Sequence, residues 1–426
     1  MMVPYAGRSV IKRTVVLVGL AACSSPTVGV DSATDAAPAV LGPVQYTEGP
    51  ILSPLTPDLV AHLRDVHATT TGRDTVFAKI GDSHTATPSY LGCFGGTQVM
   101  LDGRDLTDTV AYFKAPDAAG ATPYARMSVA AVVGWSAFQV LAGSPSPLAQ
   151  EIAAIHPAFA TVMFGTNDIG YARIDRYAQN LVDITDLLLA QGIIPILSTI
   201  PPRDDNAAAD REVPRYNAIA RGVAQTRGVP LVDLNRELLP LAGHGLGGDN
   251  LHLETYPGGA CQLTAAGLAH GNNIRNLIVL QTLDRLRRTL VAAEPAPDAD
   301  APRLVGSGSA DDPFVIAQVP FADRRDTTVF GTDAITSYPA CGNQAELGNE
   351  VYYRLDVTSV GMFHIYVADG AADIDLHVLR DAPTAAGCFV RGDAEVSVQL
   401  VPGTYYVVAD TFNRKAGDYT LVVMRD

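Results

Sequence analysis

Three polar segments, far apart in the sequence, contain the residue types needed for nucleophilic catalysis by a serine: GDSHT at 81–85, GTND at 165–168 and DNLH at 249–252. A serine hydroxyl is a weak nucleophile near neutral pH, and an imidazole within hydrogen-bond reach can remove its proton. Ser83 is therefore the candidate nucleophile and His252 the candidate base. Asp249, three residues before the histidine, can hold the imidazole in the required tautomer.

Attack of a serine on a carbonyl carbon produces an oxyanion, which needs fixed hydrogen-bond donors. The backbone N–H of Ser83 and the side-chain amide of Asn167 are two candidates. Gly134, in the segment AAVVGWSA, is a third. This chemistry uses neither a metal nor a cofactor, so we expect neither.

The elements around these segments predict how they meet. Short apolar runs, in TVFAKIGDS, FATVMFGTND, IIPILSTIPP and VPLVDL, alternate with helical patterns such as IDRYAQNLVDITDLLLAQG. Strands buried on both faces and separated by helices predict a doubly wound parallel-sheet, three-layer α/β sandwich over residues 46–291. Loops that follow the strands of such a sheet gather at one edge, where Ser83, Asn167 and His252 would converge.

The segments GDSHT, AAVVGWSA, GTND and DNLH resemble, in the same order, the four sequence blocks of the SGNH, or GDSL-type, hydrolases. The resemblance covers residues 74–290 and implies an esterase. It implies the same site residues as the chemical argument: Ser83, Gly134, Asn167, Asp249 and His252. The sequence departs from the family pattern at His84, which replaces the usual apolar residue, and at Asn250, where a glycine is common.

The expected function is hydrolysis of carboxylic esters, such as O-acetyl groups of glycans or short-chain acyl esters, through a serine acyl-enzyme. Two alternatives stay open on the sequence alone. An O-acyltransferase acting on an envelope glycan would use the same residues with a sugar hydroxyl in place of water. A catalytically silent envelope lipoprotein would instead bind polysaccharide or protein through its C-terminal domain.

The C-terminal part of the chain is predicted to be a separate all-β sandwich. A stretch rich in Ala, Pro and Asp predicts a linker over 292–311, and runs such as VYYRLDV, IDLHVLR and GTYYVVAD follow it. Residues 312–426 resemble the bacterial pre-peptidase C-terminal β-sandwich, which implies an accessory role. Asp373, Asp375 and His377 share one face of a predicted strand; we expect a solvent-exposed polar face there, with a cation site as the alternative.

The first 22 residues predict export. Arg8, Lys12 and Arg13 precede an apolar run that is too short for a permanent membrane span, which needs about 18 residues or more. The segment LAAC at 20–23 resembles the lipobox of bacterial lipoproteins, which implies lipidation of Cys23. We expect a flexible tether over 23–45 and a location in the cell envelope, at the outer membrane; a secreted protein with an ordinary cleaved signal is the alternative.

The other cysteines and the net charge limit the expected partners. Cys93, Cys261, Cys341 and Cys388 form an even set, and sequence order favours bridges 93–261 and 341–388 within the two predicted domains; four free thiols are the alternative. The formal charge of -15, from 45 acidic and 30 basic residues, disfavours nucleic acid, since phosphate recognition needs clustered Lys and Arg. The expected partners are an ester substrate and a membrane, and the sequence predicts no particular oligomeric state.

Lipidation of Cys23 is tested by growing an expressing bacterium with a radioactive fatty acid. The full-length protein should become labelled, and Cys23→Ala should abolish the label because the lipid is attached through the thiol. Ser24→Ala, the adjacent change, should keep it. A Cys23→Ala protein that is still labelled would show that the lipobox was misread.

Overall fold

The computed structural model describes residues 42–171, 173–342 and 344–426. The predicted signal peptide, Cys23 and the predicted tether up to residue 41 lie outside these ranges. The last tether residues, 42–45, pair with the predicted linker: Val44 is buried and forms an antiparallel bridge with Arg303. The same arginine binds Asp58 through its guanidinium, so the linker lies along the first helix.

The first part of the described chain alternates helices and strands, as predicted. The strands are β1 (Arg73–Gly81), β2 (Pro157–Met163), β3 (Ile194–Ser198) and β4 (Leu231–Val232). The helices are α1 (Pro57–His67), α2 (Thr107–Tyr112), α3 (Ala137–Leu141), α4 (Pro147–Ile155), α5 (Ile174–Leu189), α6 (Ala207–Asp210), α7 (Val213–Thr226), α8 (Leu234–Leu238) and α9 (Gly271–Leu286).

Strands β1 to β4 form a parallel sheet in the order β1-β2-β3-β4. A further short segment pairs with the end of β1, because Gly81 N donates to Ala130 O and Val132 N donates to Gly81 O. In a strand, the N–H and C=O of one residue point to the same side, and those of the next residue point to the other side. The residues of β1 next to Gly81 pair with β2. Residues 130–132 therefore lie along the opposite edge of β1. The chain therefore extends the sheet in both directions from β1, which confirms the doubly wound α/β prediction.

Helices cover both faces of this sheet. Every residue of β2 and β3 is buried, which requires packing above and below the strands. Helices α5 and α7 pack on β3 and on each other, while α9 packs against β4 and α2. Helix α5 is amphipathic and buries Leu181, Ile184 and Leu188 along one stripe.

The C-terminal part is a β-sandwich, also as predicted. One sheet has the strand order β10-β9-β12-β7-β5, with β5 parallel to β7, and the other has the antiparallel order β11-β8-β13-β6. Their facing side chains form a separate apolar core. The strands are β5 (Phe314–Val315), β6 (Phe321–Asp326), β7 (Glu346–Val357), β8 (Gly361–Ala368), β9 (Ile374–Arg380), β10 (Cys388–Gly392), β11 (Glu395–Leu400), β12 (Gly403–Phe412) and β13 (Asp418–Arg425).

The β-sandwich packs on the α/β part through helix α7, which contacts β6 and β13. A Cβ added to Gly222 would lie 2.7 Å from Val422, so this glycine allows the close approach of helix and sheet. Arg227, at the end of α7, is buried and donates to both carboxylate oxygens of Asp186 at 3.0 Å. Its guanidinium also donates to Thr420 of β13, so one side chain joins α5, α7 and the sandwich.

Both predicted disulfides are present, Cys93–Cys261 and Cys341–Cys388, each with a Cα–Cα distance of 5.7 Å. The first joins the loop after β1 to the loop before α9. Within the described ranges, no helix is both long enough and apolar enough to cross a bilayer.

Candidate active site

The predicted catalytic residues meet at the carboxyl edge of the parallel sheet. Ser83 comes directly after β1, and its Oγ lies 2.9 Å from Nε2 of His252. Nδ1 of the same imidazole lies 2.6 Å from Oδ2 of Asp249. Serine, imidazole and carboxylate are thus joined by two hydrogen-bond contacts, although Ser83 and His252 are 169 residues apart.

The loop that carries the acid and the base is held by the acid itself. Oδ1 of Asp249 accepts hydrogen bonds from the backbone N–H groups of Leu251, at 3.1 Å, and His252, at 3.0 Å. Asn250 has φ +56°, in the left-handed region where glycine is easiest and asparagine is tolerated. This geometry explains why asparagine can stand where a glycine is common.

The pKa of Asp249 is lowered to about 2, chiefly by the hydrogen bond from the His252 side chain and then by the one from its backbone N–H. The carboxylate is therefore ionised at any pH near neutrality. A negative charge 2.6 Å from Nδ1 stabilises the imidazolium that forms when His252 accepts a proton.

The candidate oxyanion donors lie on the two loops that flank the end of β1. Asn167 follows β2, and its Nδ2 donates to the backbone oxygen of Trp135 at 3.0 Å, which ties it to the Gly134 loop. An amide nitrogen has two N–H groups, so one remains for an oxyanion. Gly134 has φ +79°, and no heavy atom lies within 4 Å of the position that a Cβ would take. Its backbone is therefore not crowded on that side.

Two buried carboxyls support these loops, and sequence reasoning missed both. Oδ1 of Asp82 accepts from the backbone N–H of His84 at 3.0 Å, while Oδ1 of Asp168 accepts from Ala137 N, at the start of α3, also at 3.0 Å. Burial raises the pKa of Asp82 to about 6 and that of Asp168 to about 7. The sequence signal that could have found them is their position: Asp82 precedes Ser83 in GDSHT, and Asp168 follows Asn167 in GTND.

Arg275 of α9 supports the GDSHT segment, and no sequence pattern indicated this role. Its side chain is almost fully buried; Nη2 donates to Oγ1 of Thr85 at 3.0 Å, and Nη1 donates to the backbone oxygen of His84. The guanidinium carbon lies 3.7 Å from the centre of the Tyr90 ring, a cation–π contact. The residue after the nucleophile is therefore anchored by a buried cation.

His84, the other imidazole beside Ser83, lacks the geometry of a base. Burial lowers the pKa of this imidazole well below its ordinary value, so the ring is neutral. Its centre lies 5.2 Å from that of the His252 ring, and its Nε2 has no hydrogen-bond partner among the described residues. Among the residues that the structure describes, His252 is the one whose side chain has the contact with Ser83 Oγ that proton removal needs.

Serine, histidine and aspartate are joined by hydrogen bonds in that order at the edge of a parallel α/β sheet. This arrangement is typical of serine hydrolases. Residues 80–256 match the model of the GDSL-like lipase/acylhydrolase family, and the five predicted site residues all lie inside this range. The match covers less than half of the chain, and it supports an SGNH-type esterase in the α/β part.

Several solved structures are similar to parts of the chain. A GDSL-like lipase from Bacteroides thetaiotaomicron is 15% identical, with a TM-score of 0.33 over 53% of this chain and 98% of that one. An acetylxylan esterase from Geobacillus stearothermophilus is 16% identical, with a TM-score of 0.33 over 50% and 94%. The pre-peptidase C-terminal domain of a Bacillus anthracis collagenase is 20% identical, with a TM-score of 0.16 over 17% and 75%. No curated protein is significantly similar in sequence to this chain.

Asp168→Asn should make stability less dependent on pH. Burial raises the pKa of Asp168 from its ordinary 3.8 to about 7, so the folded protein keeps a proton that the unfolded chain loses. Below the pKa that Asp168 has in the unfolded chain, this proton contributes its full share to the free energy of unfolding. That contribution is lost as the pH rises towards 7. Between about pH 4.5 and about pH 7.5, the wild-type Tm should fall further than that of the variant.

Asp65→Asn, at an exposed position on α1, is the matched control and should follow the wild type. Thermal unfolding followed by circular dichroism gives the three curves. Equal declines of Tm in wild type and Asp168→Asn would contradict a buried, protonated Asp168.

Proposed function

We propose that this protein hydrolyses carboxylic esters through an acyl-enzyme on Ser83, with His252 as general base and Asp249 as the group that orients it. The observation that carries the proposal is the pair of contacts from Ser83 Oγ to His252 Nε2 and from His252 Nδ1 to Asp249, at 2.9 and 2.6 Å. Both distances suit hydrogen bonds that are already formed before substrate binds.

In the proposed acylation, Ser83 Oγ attacks the ester carbonyl carbon while its proton passes to Nε2 of His252. The tetrahedral intermediate then collapses: the bond to the alcohol oxygen breaks, and His252 returns the proton to that oxygen. In deacylation, a water molecule gives its proton to the same Nε2 and attacks the acyl carbon. The acid leaves, and the proton returns to Ser83 Oγ.

The negative oxygen of each intermediate would be stabilised by three N–H donors. These are the backbone N–H groups of Ser83 and Gly134 and one N–H of the Asn167 side chain. The contact of Asn167 with the Trp135 oxygen supports this role, because it holds the amide in place without using both of its hydrogens.

Exposure at the site favours a particular kind of substrate. The side chains of His252 and Asp249 are 43% and 54% exposed, so the acid–base pair stands at an open surface rather than at the end of a tunnel. A bulky alcohol can approach such a site, and we propose O-acetyl groups on glycans or other short-chain acyl esters as substrates. Open access for water favours hydrolysis over transfer, since a transferase must keep water from its acyl-enzyme.

We also propose that the enzyme acts outside the cytoplasm, as a lipid-anchored envelope protein. The two disulfides, Cys93–Cys261 and Cys341–Cys388, support an oxidising compartment. The export signal and the LAAC segment support anchoring through Cys23.

The catalytic roles are tested with p-nitrophenyl acetate and butyrate. Ser83→Ala and His252→Ala should each lower kcat by at least about 1,000-fold, because each removes one partner of the proton transfer. Asp249→Asn should lower kcat by about 100-fold or more, because it no longer favours the imidazolium. The measurement is release of p-nitrophenol under saturating substrate.

His84→Leu is the matched control, because it removes the other imidazole next to the nucleophile. It should keep kcat within about tenfold of the wild type, since that ring packs beside His252 but forms no hydrogen bond with Ser83 Oγ or with the His252 imidazole. Wild-type activity no higher than that of Ser83→Ala would overturn the proposed mechanism. Acetylated acceptor sugar, rather than free acetate, as the main product from an acetylated glycan would show transfer instead of hydrolysis.

A further inference from the structure

A cluster of buried ionisable side chains lies in the β-sandwich, in a different domain from the candidate active site. Glu346 of β7, His377 of β9 and Asp410 of β12 present one potential ligand atom each, all within 4.8 Å of one another. Strand register places the three on one face of the five-stranded sheet: His377 is opposite Val408, and Glu346 is opposite Phe412. This face points away from the core of the sandwich, because the alternate residues, such as Val407 and Ala409, form that core.

The prediction that Asp375 and His377 lie on a solvent-exposed face is wrong. Asp375 and His377 are 2% and 1% exposed, because the segment between β6 and β7 folds over them. Tyr338 of that segment stacks on the His377 ring with a centroid distance of 3.7 Å. The Cys341–Cys388 bridge joins the same segment to β10, so the cluster is enclosed.

Several polar atoms of the enclosed cluster lack a hydrogen-bond partner. Within the described part of the chain, this holds for Nε2 of His377 and Oδ1 of Asp410, while the Glu346 carboxyl has only another carboxyl, that of Asp375, in hydrogen-bond contact. Nε2 of His377 and Oε1 of Glu346 are 3.2 Å apart but are not aligned as a hydrogen bond. Buried polar atoms without partners are costly, so a converging set of them indicates a missing ligand.

Neighbouring side chains bind other oxygens at the edge of the cluster. Tyr338 donates to Oδ2 of Asp410 at 2.7 Å, which satisfies that oxygen and leaves Oδ1 free. Arg391 pairs with Asp375 and also lies 4.0 Å from Oε1 of Glu346, within ion-pair range but beyond hydrogen-bond range. Orientation of ligand atoms by such outer hydrogen bonds is typical of metal sites.

We propose that Glu346, His377 and Asp410 bind a divalent transition-metal ion, with Zn²⁺ as the representative ion, and so stabilise the β-sandwich. Zinc takes imidazole nitrogen and carboxylate oxygen at about 2.0–2.2 Å, which places tetrahedral ligands roughly 3.4 Å apart. The 3.2 Å between His377 and Glu346 fits this spacing. The imidazole favours zinc over calcium or magnesium, which prefer all-oxygen sites.

A bound divalent ion would also balance charge. Two carboxyls of the trio are fully buried, and the nearby Arg391, which also pairs with Asp375, lies no closer than 4.0 Å to Glu346. The ion would supply the positive charge and the coordination that the protein does not, and its binding would favour the folded state over the unfolded one.

The test uses the untagged chain from residue 24 onward, stripped with EDTA and titrated with ZnCl₂ by calorimetry. Wild type should bind one equivalent of Zn²⁺ and show a higher Tm with zinc than with EDTA. His377→Gln should weaken zinc binding at least 100-fold, because it removes the nitrogen ligand, and Asp410→Asn, which is nearly isosteric, should also weaken it. Absorption of the Co²⁺-loaded protein gives a second readout that is independent of esterase activity.

His364→Gln is the matched control, since His364 is a buried histidine of the other sheet that contacts Ser397 rather than the cluster. It should bind Zn²⁺ as the wild type does. Absence of stoichiometric zinc binding and of a Tm shift in the wild type would overturn the proposal even if a variant failed to fold. Unchanged zinc affinity in folded His377→Gln, or binding of Ca²⁺ alone, would overturn it as well.

Discussion

The hydrogen bond between Ser83 and His252, at 2.9 Å, is the contact that the α/β domain has to position. Its partners come from opposite ends of the domain, one directly after β1 and the other in the loop before α9. To bring them together, the chain must complete the parallel sheet and return to the end of its first strand. The Cys93–Cys261 bridge joins the same two regions covalently, so the fold holds the proposed nucleophile and base together before substrate arrives.

The polar groups beneath this contact keep the loops in place. Asp82 and Asp168 use buried carboxyl oxygens to fix the backbone of His84 and the start of α3. Arg275 holds the other side of the same turn. Each of these side chains acts through another residue, and its hydrogen bonds offset part of the cost of burying it. The exposed pair Asp249 and His252 lies above this rigid base, where water and substrate can reach it.

Sequence patterns predicted the parts of this structure that follow from local spacing. Apolar runs bounded by turns predicted the strands, and the three-residue spacing of Asp249 and His252 predicted a self-contained acid–base loop. Patterns did not predict Arg275, because an arginine within a helix is usually exposed and its burial depends on Tyr90, which lies far away in the sequence. They also misplaced His377: a period of two assigns residues to a face but does not tell whether a loop covers that face.

The central claim, that Ser83 is a nucleophile activated by His252, is tested most directly by covalent labelling with a fluorophosphonate, which reacts with activated serines and resembles the tetrahedral intermediate. Peptide mass spectrometry of the labelled protein should find one adduct, on Ser83. His252→Ala should label at least about 100-fold more slowly, because the hydroxyl then keeps its proton. An adduct on another serine, or labelling of His252→Ala at the wild-type rate, would contradict the account.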